Sequence, residues 1–464
     1  MSKSQAGNLS ELKRNTLIIG IANIGSRAIS FILAPLYSYY LSTSEYGTMD
    51  LITTTAGLIV PLLCLDIYEA TFRFASDDSY DDKVVFSSTF SLSFFISLLA
   101  VAIVSVLKAF FPVPELIPFS IYAAAIDANY AVLSQFARGR GSMKVFAFSG
   151  VVNSLVTLGF DLLLLVFMRY GLYGWMVAYL LAKVAACVYV FIRIRAWKFF
   201  SLKKLDKGFY KEAIKYGLPL LPTSSMWWVM NASDRYMVAL FIGTAANGIY
   251  AVANKFPAVL SVLENIFYQA WQTSAINALD DKNKDKFYSN VFKNYLIVLT
   301  MGVLGLLIVL RPAVVYLFEK NYQSAWVVSP ILVIGVMVHA LGGNLGTLYT
   351  VNKKTVGALK TAAAGAGTNL VLNYIFIPKY GLIAAATTTL IGYFVVIFYR
   401  WIDIKKYFRL SAPVTNIIES SIFLLVQLIL YFNTSIISYV IRVCVCILYC
   451  FLHRDIVNKI LRRS

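Results

Sequence analysis

The residues of this sequence that could do chemistry are charged side chains set inside long apolar stretches. The stretch SDRYMVALFIGTAANGIYAVANK, residues 233–255, is typical, because Asp234, Arg235 and Lys255 interrupt a segment otherwise suited to a lipid bilayer. A charge at the bilayer centre costs about 2.5–3.5 kcal/mol on insertion scales. Several such charges in one chain therefore predict a polar interior in which ionised groups bind a charged ligand or carry an ion.

Four basic residues inside the apolar stretches, Arg27, Lys183, Arg235 and Lys255, are candidates for binding an anionic group. A rise of 1.5 Å per residue places Arg27, Arg235 and Lys255 at one level, roughly 18–20 Å from the inner membrane surface. This shared depth predicts a cationic cavity, and both side-chain types bind pyrophosphate through charge-assisted hydrogen bonds. Two alternatives remain open: Arg235 extends outward to the membrane surface, or Asp234 neutralises Arg235 or Lys255.

The acidic residues inside the apolar stretches are candidates for ion coupling or charge pairing, since a carboxyl group in a polar lumen can carry a proton. They are Glu264, Asp234, Asp161, Asp127, Asp66 and Glu69. Glu264, near the middle of its stretch, is the leading candidate for a coupling acid. Asp66, Glu69 and the neighbouring Arg73 approach the inner end of theirs, where an ion pair at the rim is the simpler interpretation.

The elements that must position these residues are membrane-spanning helices. Of the 464 residues, 59% are hydrophobic and 14% are charged, whereas soluble proteins carry roughly a quarter charged residues. The fold class predicted is an all-α polytopic membrane protein with about fourteen transmembrane helices, since each span needs about 20 apolar residues. The predicted spans are 15–40, 47–72, 84–107, 115–137, 146–168, 172–194, 213–241, 248–275, 288–310, 323–346, 357–378, 382–402, 413–432 and 434–452.

The basic residues between the spans indicate the orientation. With the N-terminus inside, 30 Lys and Arg fall in inner segments and 5 in outer loops, a bias typical of cytoplasmic loops. Both termini are therefore expected in the cytoplasm, and the net charge of +18 is explained by the membrane surface rather than by nucleic acid. The connecting loops are too short to hold a folded domain outside the membrane.

An internal repeat divides the chain into two six-helix halves. TSEYG at 43–47 matches TAANG at 244–248, and RYGL at 169–172 matches KYGL at 379–382, at similar offsets in equivalent outer turns. Six spans per half keep both halves in the same direction, and such parallel repeats are typical of transporters with a substrate site at the interface of the halves. The predicted organisation is an N-terminal lobe, a basic cytoplasmic linker, a C-terminal lobe, and a final helix pair with a basic tail, at 1–196, 197–212, 213–409 and 410–464.

On these features the chain resembles the Wzx-type polysaccharide-repeat flippases of the multidrug/oligosaccharidyl-lipid/polysaccharide exporter superfamily. The resemblance rests on NTLIIGIANIGSRAISFILAPLYSYYLSTSEYG at 15–47, on the stretch 233–255, on the two YGL turns and on the six-plus-six-plus-two layout. It implies two pseudo-symmetric lobes around a central cavity. It also implies transfer of an undecaprenyl-pyrophosphate-linked oligosaccharide from the inner to the outer leaflet of the bacterial plasma membrane, by alternating access.

The resemblance also assigns residues and partners. Related lipid II flippases place arginines on spans one and eight, and Arg27 and Lys255 occupy comparable spans and depths here. Their last two helices border a groove for the lipid tail, which implies that role for residues 413–452; the charged Glu419 and Arg442 of these helices are expected to pair with each other. The implied partners are the lipid-linked oligosaccharide and membrane lipids, with the polymerase and chain-length machinery as candidates. No cofactor is expected beyond a coupling H⁺ or Na⁺, and the protein is expected to be a monomer.

Two other functions are weighed against this prediction. A membrane enzyme such as a glycan polymerase or ligase usually needs a sizeable outer loop with catalytic residues, and no such loop or metal cluster is present in the sequence, so no enzyme is predicted. A multidrug extruder of the same superfamily usually has twelve spans and favours cationic drugs. The extra helix pair, and the basic residues predicted to line a cavity at one depth, favour the flippase over the extruder.

Overall fold

The computed structural model describes residues 25–26, 28–279, 281–352 and 354–461, and in that part of the chain all regular secondary structure is helical. Nine of the described helices are long and apolar enough to cross a membrane, and two shorter apolar helices accompany them. The predicted fold class, an all-α polytopic membrane protein, is confirmed. The count of fourteen spans stays a prediction. Arg27 lies outside the described residues.

The chain divides into two compact units, Met1–Ala232 and Ser233–Ser464. The helices that begin in the N-terminal unit are α1 (Ala28–Tyr40), α2 (Thr43–Cys64), α3 (Ile67–Ala75), α4 (Asp82–Phe110), α5 (Leu116–Gly139), α6 (Met143–Asp161), α7 (Gly171–Arg193), α8 (Lys207–Gly217) and α9 (Leu221–Phe241). A π-helical turn, Leu162–Phe167, extends α6. The division between the units falls inside α9.

The C-terminal unit contains the remaining helices. They are α10 (Thr244–Ala253), α11 (Lys255–Asn277), α12 (Lys284–Leu317), α13 (Ala325–Val351), α14 (Thr355–Ile404), α15 (Val414–Tyr431), α16 (Ile436–Leu452) and the short α17 (Arg454–Leu461). The predicted spans 213–241 and 248–275 are broken: the first becomes α8, a 3₁₀ turn and α9, and the second is interrupted at Asn254. Apolar composition predicts that a segment spans, whereas local backbone geometry decides whether its helix is continuous.

Small residues set the packing of the N-terminal unit. Ala123 and Ala124 of α5 are buried against Ala56 of α2 in one apolar cluster. Small side chains let helices approach closely in a membrane, where association depends on van der Waals contact rather than on the hydrophobic effect. The long α4 exposes large apolar side chains such as Phe94, Phe95 and Leu98, as a helix facing lipid would.

The predicted span 47–72 is also two helices in the structure. A capping box, in which Ser42 and Glu45 exchange side-chain-to-backbone hydrogen bonds, begins α2. The helix stops at Leu65 and Asp66, which adopt left-handed φ values of 50° and 51°. A Cβ built on Gly217 would stand 2.4 Å from the carbonyl oxygen of Leu65. Glycine at 217 therefore allows α8 to pack against this break.

Residues 197–212, expected to join two lobes, are bound to the N-terminal unit. The ammonium of Lys204 lies 2.9 Å from Asp81, and the Tyr80 hydroxyl donates a 2.6 Å hydrogen bond to Glu212. The hydrogen bond from Lys204 holds the pKa of Asp81 below its usual value, and the bond to Glu212 raises the pKa of Tyr80. The rings of Phe74 and Phe209 meet beneath these pairs. This segment therefore belongs structurally to the N-terminal unit.

Helix α14 is a helical hairpin. Gly381 has φ +64° and reverses the chain, so the arm before it packs antiparallel to the arm after it. The Asn369 Nδ2 atom donates to Thr389 Oγ1 at 3.1 Å, and Arg400 Nε donates to Thr361 Oγ1 at 3.1 Å. The two arms coincide with the predicted spans 357–378 and 382–402.

The repeated turns occupy equivalent places within each unit. In the N-terminal unit, Glu45 Oε1, at the start of α2, accepts a 3.3 Å hydrogen bond from the backbone N–H of Leu172 in the RYGL turn. In the C-terminal unit, a Cβ on Gly381 of the KYGL turn would meet Ile242, just before α10, at 3.9 Å. Each unit thus packs its first repeated turn beside its second, as a repeat requires.

Candidate functional site

The N-terminal unit holds Asp161 in a buried hydrogen bond. The hydroxyl of Tyr37 on α1 donates to Asp161 Oδ2 at 2.6 Å, and Asp161 has no solvent exposure. Among the described residues Asp161 Oδ1 has no hydrogen-bond partner. The π-helical turn begins at the next residue, and such turns are frequent at functional sites. Asp161 therefore keeps an acceptor that a proton or a cation could occupy.

The same unit neutralises Lys183, which the sequence placed among the substrate-binding cations. Lys183 Nζ lies 2.9 Å from Asp127 Oδ1, with both side chains less than a fifth exposed. The Tyr179 hydroxyl donates to Asp127 Oδ2 at 2.6 Å, and the ring of Tyr130 lies 5.2 Å from the ammonium. Lys183 and Asp127 face each other from α7 and α5 and form an ion pair; substrate binding by Lys183 stays a prediction.

The acids near the break after α2 differ from the expected rim pair. Arg73 contacts Asp77 at 3.3 Å on the following turn rather than Asp66 or Glu69. Asp66 is fully buried at the break itself. Arg73 lies in the last turn of α3, and Asp77, four residues farther along the chain, is within reach of its guanidinium. The pairing expected from a continuous span is wrong.

The C-terminal unit holds Asp234 in an arrangement like that of Asp161. The Tyr250 hydroxyl donates to Asp234 Oδ2 at 2.5 Å, and the backbone N–H of Arg235 donates to Oδ1 at 2.9 Å. Asp234 is 7% exposed. Arg235 is partly buried, as is Lys255, which opens α11 directly after the break at Asn254. Both basic residues lie in the C-terminal unit, and both side chains are partly exposed.

A polar network that sequence reasoning missed begins next to Asp234. Ser233 Oγ donates to Asn369 Oδ1 at 3.4 Å, Asn373 Nδ2 donates to the same oxygen at 3.1 Å, and Asn369 Nδ2 donates to Thr389. The Thr388 hydroxyl donates to Asn373 Oδ1. These side chains are uncharged, so a search for intramembrane charges passes over them. The pattern that could have found them is the pair of asparagines four residues apart, facing the TTT run at 387–389.

Glu264, the leading candidate for a coupling acid, has a partner that the sequence did not suggest. Its Oε1 atom lies 2.9 Å from Nδ1 of His339 on α13, and the His339 ring lies 5.0 Å from the ring of Tyr393. Gly335 and Gly343, one turn on either side of His339, leave room for Tyr393 and Glu264. An imidazole and a carboxylate in contact can share or exchange a proton.

Arg400 was counted among the inner-loop cations, but the structure buries it. The side chain is 5% exposed, and its Nη1 atom donates to the carbonyl oxygen of Gly342 at 2.7 Å. A Cβ on Gly346 would stand 2.6 Å from Nη1. Within the described part of the chain no carboxylate pairs with Arg400. It joins α13 to both arms of α14 through neutral acceptors.

The predicted pairing of Glu419 with Arg442 is wrong. Glu419 Oε1 lies 3.2 Å from Nε2 of His453, while Arg442 Nη2 donates to the carbonyl oxygen of Leu307 on α12. The register of the helix pair explains the difference. Ser420 on α15 bonds to Tyr449 on α16 at 2.7 Å, which sets Glu419 opposite the end of α16 and Arg442 farther along the hairpin.

The comparison with known families decides the classification. Residues 12–272 match the family described as "Polysaccharide biosynthesis protein", which is more than half of the 464 residues. The chain belongs to this family. The resemblance drawn from the sequence is confirmed.

Two curated relatives are similar in sequence. The capsular polysaccharide biosynthesis protein CapF of Staphylococcus aureus is 23% identical over 321 residues, which cover 67% of this chain and 76% of CapF. An uncharacterized membrane protein of Methanocaldococcus jannaschii is 27% identical over 299 residues, or 60% of this chain. That match spans 56% of the archaeal protein's length.

Solved structures share the fold. Lipid II flippase MurJ in an inward closed conformation superposes with a TM-score of 0.70 at 15% identity, covering 96% of this chain and 99% of MurJ. An inward-facing MATE multidrug resistance transporter of the MOP superfamily gives a TM-score of 0.65 at 14% identity, covering 82% of this chain and 95% of the transporter. At these identities the likeness establishes a shared fold. The chain is a multi-pass membrane protein with this fold.

Proposed function

We propose that this protein is a flippase that moves a polyprenyl-pyrophosphate-linked oligosaccharide from the inner to the outer leaflet of the bacterial plasma membrane, with both termini in the cytoplasm. The observation that carries the proposal is that a member of the polysaccharide biosynthesis family keeps basic side chains, Arg235 and Lys255, partly exposed within a helix-only membrane fold. A cation at membrane depth is costly unless water or an anionic ligand solvates it. An anionic lipid headgroup satisfies that requirement.

In this proposal Arg27, Arg235 and Lys255 bind the pyrophosphate. Lys183 does not take part, because Asp127 neutralises its charge inside the N-terminal unit. The family and the MurJ-like fold support a lipid-linked substrate. The protein works by alternating access, and it acts as a carrier rather than an enzyme, as a monomer beside the polymerase and chain-length machinery.

We further propose that the C-terminal unit couples transport to a cation. Asp234 supplies a carboxylate at the residue next to Ser233, whose hydroxyl bonds to the cluster of amide and hydroxyl oxygens from Asn369, Asn373 and the threonines of α14. Oxygen ligands of this kind suit a hard cation such as Na⁺. Asp161 and the Glu264–His339 pair are the alternative carriers, and they suit H⁺. The two ions are distinguished by which gradient drives transport.

Reconstitution tests the proposal directly. Purified full-length protein is placed in liposomes with a fluorescent polyprenyl-pyrophosphate oligosaccharide, and transfer is followed by quenching of the exposed leaflet under a Na⁺ gradient, a proton gradient or neither. Transfer that depends on one gradient is expected. Lys255→Ala should slow it at least about tenfold, the loss of one charge-assisted contact worth about 1.4 kcal/mol or more. Lys286→Ala, at an exposed lysine of the same unit, is the matched control and should be unaffected. No transfer above empty liposomes would refute the proposed substrate, and equal rates in all three proteins would refute the role of Lys255.

A multidrug extruder is the second candidate, because MATE transporters share the fold. A drug-export assay in the same liposomes separates the two functions. Export of cationic dyes, with no transfer of the pyrophosphate lipid, would establish the extruder. The basic side chains Arg235 and Lys255 favour the flippase, since both side-chain types donate charge-assisted hydrogen bonds to an anionic group.

A further inference from the structure

Two arginines flank a pair of aromatic rings at one end of the C-terminal unit, in a stack whose order is Arg311, Trp326, Tyr431 and Arg442. The Arg311 guanidinium on α12 lies 4.3 Å from the ring of Trp326 at the start of α13. The Trp326 ring lies 5.8 Å from that of Tyr431 at the end of α15, and the Arg442 guanidinium on α16 lies 4.9 Å from the Tyr431 ring. Tyr431 also donates to the Trp326 carbonyl oxygen at 2.8 Å. Four helices thus fix both guanidinium groups.

The charges of this stack are not neutralised within the described chain. Neither Arg311 nor Arg442 lies within ion-pair distance of a described carboxylate, and the two are close enough to act on each other electrostatically. Arg442 is 2% exposed, and its buried Nε atom has no hydrogen-bond partner among the described residues. Burying an unpaired charge costs several kcal/mol. The aromatic rings and the carbonyl oxygen of Leu307 stabilise these charges only in part, so the two charges point to an anionic ligand.

The position of the stack identifies the kind of anion. Arg311 lies about 9 Å before the end of α12, and Arg442 lies a similar distance after the start of α16, at 1.5 Å per residue. Arg311 is partly exposed, and the neighbouring Tyr316 and Phe432 are exposed as at a membrane interface. An arginine at this distance from a helix end reaches a lipid phosphate by extending its side chain toward the interface. Arginine matches phosphate because its planar fork donates two parallel hydrogen bonds.

We propose that Arg311 and Arg442 form a binding site for the phosphate group of a lipid, at the end of the C-terminal unit that the distribution of basic residues predicts to face outward. Two lipids carry this chemistry. One is the pyrophosphate lipid after its transfer, an assignment that rests on the proposed function. The other is an anionic phospholipid of the membrane, which the site would hold whatever the protein transports.

Binding to the purified full-length protein in detergent tests the site without any transport measurement. The probes are a polyprenyl pyrophosphate, phosphatidylglycerol, and the uncharged polyprenol and diacylglycerol as matched neutral lipids. Affinity is measured by native mass spectrometry, and lipid-induced stabilisation by thermal unfolding. The variants are Arg311→Gln and Arg442→Lys, with Lys320→Gln, an exposed lysine at the same end, as the charge-matched control.

Phosphate-bearing lipids are expected to bind more tightly than their neutral counterparts, and Arg311→Gln to weaken that binding about tenfold, the usual effect of one charge-assisted hydrogen bond. Arg442→Lys keeps the charge but loses the planar guanidinium with its two parallel donors, so its loss of lipid affinity should be smaller. Lys320→Gln should bind lipids as the parent does. Preference for polyprenyl pyrophosphate assigns the site to the substrate, and equal binding of phosphatidylglycerol assigns it to the membrane lipid. Equal affinity for charged and neutral lipids, or an unchanged preference in Arg311→Gln, would overturn the site. Lipid binding without transfer in liposomes would refute the flippase alone.

Discussion

The two units treat buried charge differently. Both hold a buried aspartate by a tyrosine hydroxyl, Asp161 by Tyr37 and Asp234 by Tyr250. The N-terminal unit also neutralises its buried lysine with Asp127. The C-terminal unit instead buries Arg400 and Arg442 against backbone carbonyl oxygens.

Buried charges are therefore expected to serve mainly stability in the N-terminal unit and mainly ligand binding in the C-terminal unit. A neutralised pair inside the N-terminal unit contributes to holding α5 and α7 in place. Cations of the C-terminal unit that meet only neutral acceptors in the described chain keep their attraction for an anion. We therefore expect the N-terminal unit to respond to charge mutations mainly in stability, and the C-terminal unit mainly in ligand binding and transport.

The largest effect should come from breaking the ion pair of the N-terminal unit. Lys183→Met leaves the carboxylate of Asp127 buried without its cation and should lower the free energy of unfolding by about 3–5 kcal/mol. Arg400→Met in the C-terminal unit leaves only neutral acceptors unpaired and should cost about 1–3 kcal/mol. Unfolding in detergent, followed by tryptophan fluorescence, measures both. The double variant Asp127→Asn/Lys183→Met should recover much of the loss; no recovery would show that the pair is not the cause.

The next largest effect on stability is expected where α8 packs closely against the break after α2. Gly217→Ala would place its methyl group against the carbonyl oxygen of Leu65, at 2.4 Å before relaxation, and should destabilise the protein by about 1–3 kcal/mol. Gly159 on α6 has open space where its Cβ would lie, so Gly159→Ala is the matched control and should be neutral or slightly stabilising. Equal melting temperatures for the two variants would contradict the packing described at the break.

The paired aspartates test whether the units share the coupling role. Asp234→Asn removes the charge beside the oxygen network of α14 and should reduce gradient-driven transfer about tenfold, equivalent to about 1.4 kcal/mol. If Na⁺ is the coupling ion, Asp161→Asn should have the smaller effect, because Asp161 has no such network in the described structure. Initial rates in the liposome assay under each gradient decide the matter. A larger loss in Asp161→Asn, under a proton gradient, would transfer the coupling role to the N-terminal unit.

The smallest effect is expected at the exposed pair of Lys204 and Asp81. Its contribution is at most about 0.5 kcal/mol, because water screens both charges. Since Lys204 lowers the pKa of Asp81 in the folded protein, this contribution is present at neutral pH and is lost as the pH falls below about 4. Lys204→Ala should match the parent at pH 3 and be slightly less stable at pH 7. A difference that grows on acidification would reverse the assigned sign.

The sequence identified the charged residues inside apolar stretches better than it identified the groups that these residues contact. The apolar runs and the YGL turns predicted the helices, the hairpin at Gly381 and the family, because each is a local or periodic property. The partners of Lys183, Glu264 and Arg442 were predicted wrongly or not at all, since each contact joins different helices. The asparagine and threonine network escaped notice because uncharged residues are common in spanning helices.

What the sequence determined by itself is therefore the membrane class, the family and which residues carry charge inside apolar stretches. The membrane class follows from the sequence because the free energy of transferring an apolar segment into the bilayer depends on that segment and little on its neighbours. Only the tertiary structure decided which charges are neutralised. Electrostatic and hydrogen-bond energies depend on a few ångströms between helices, and those distances are fixed by register and by breaks such as the one at Leu65 and Asp66.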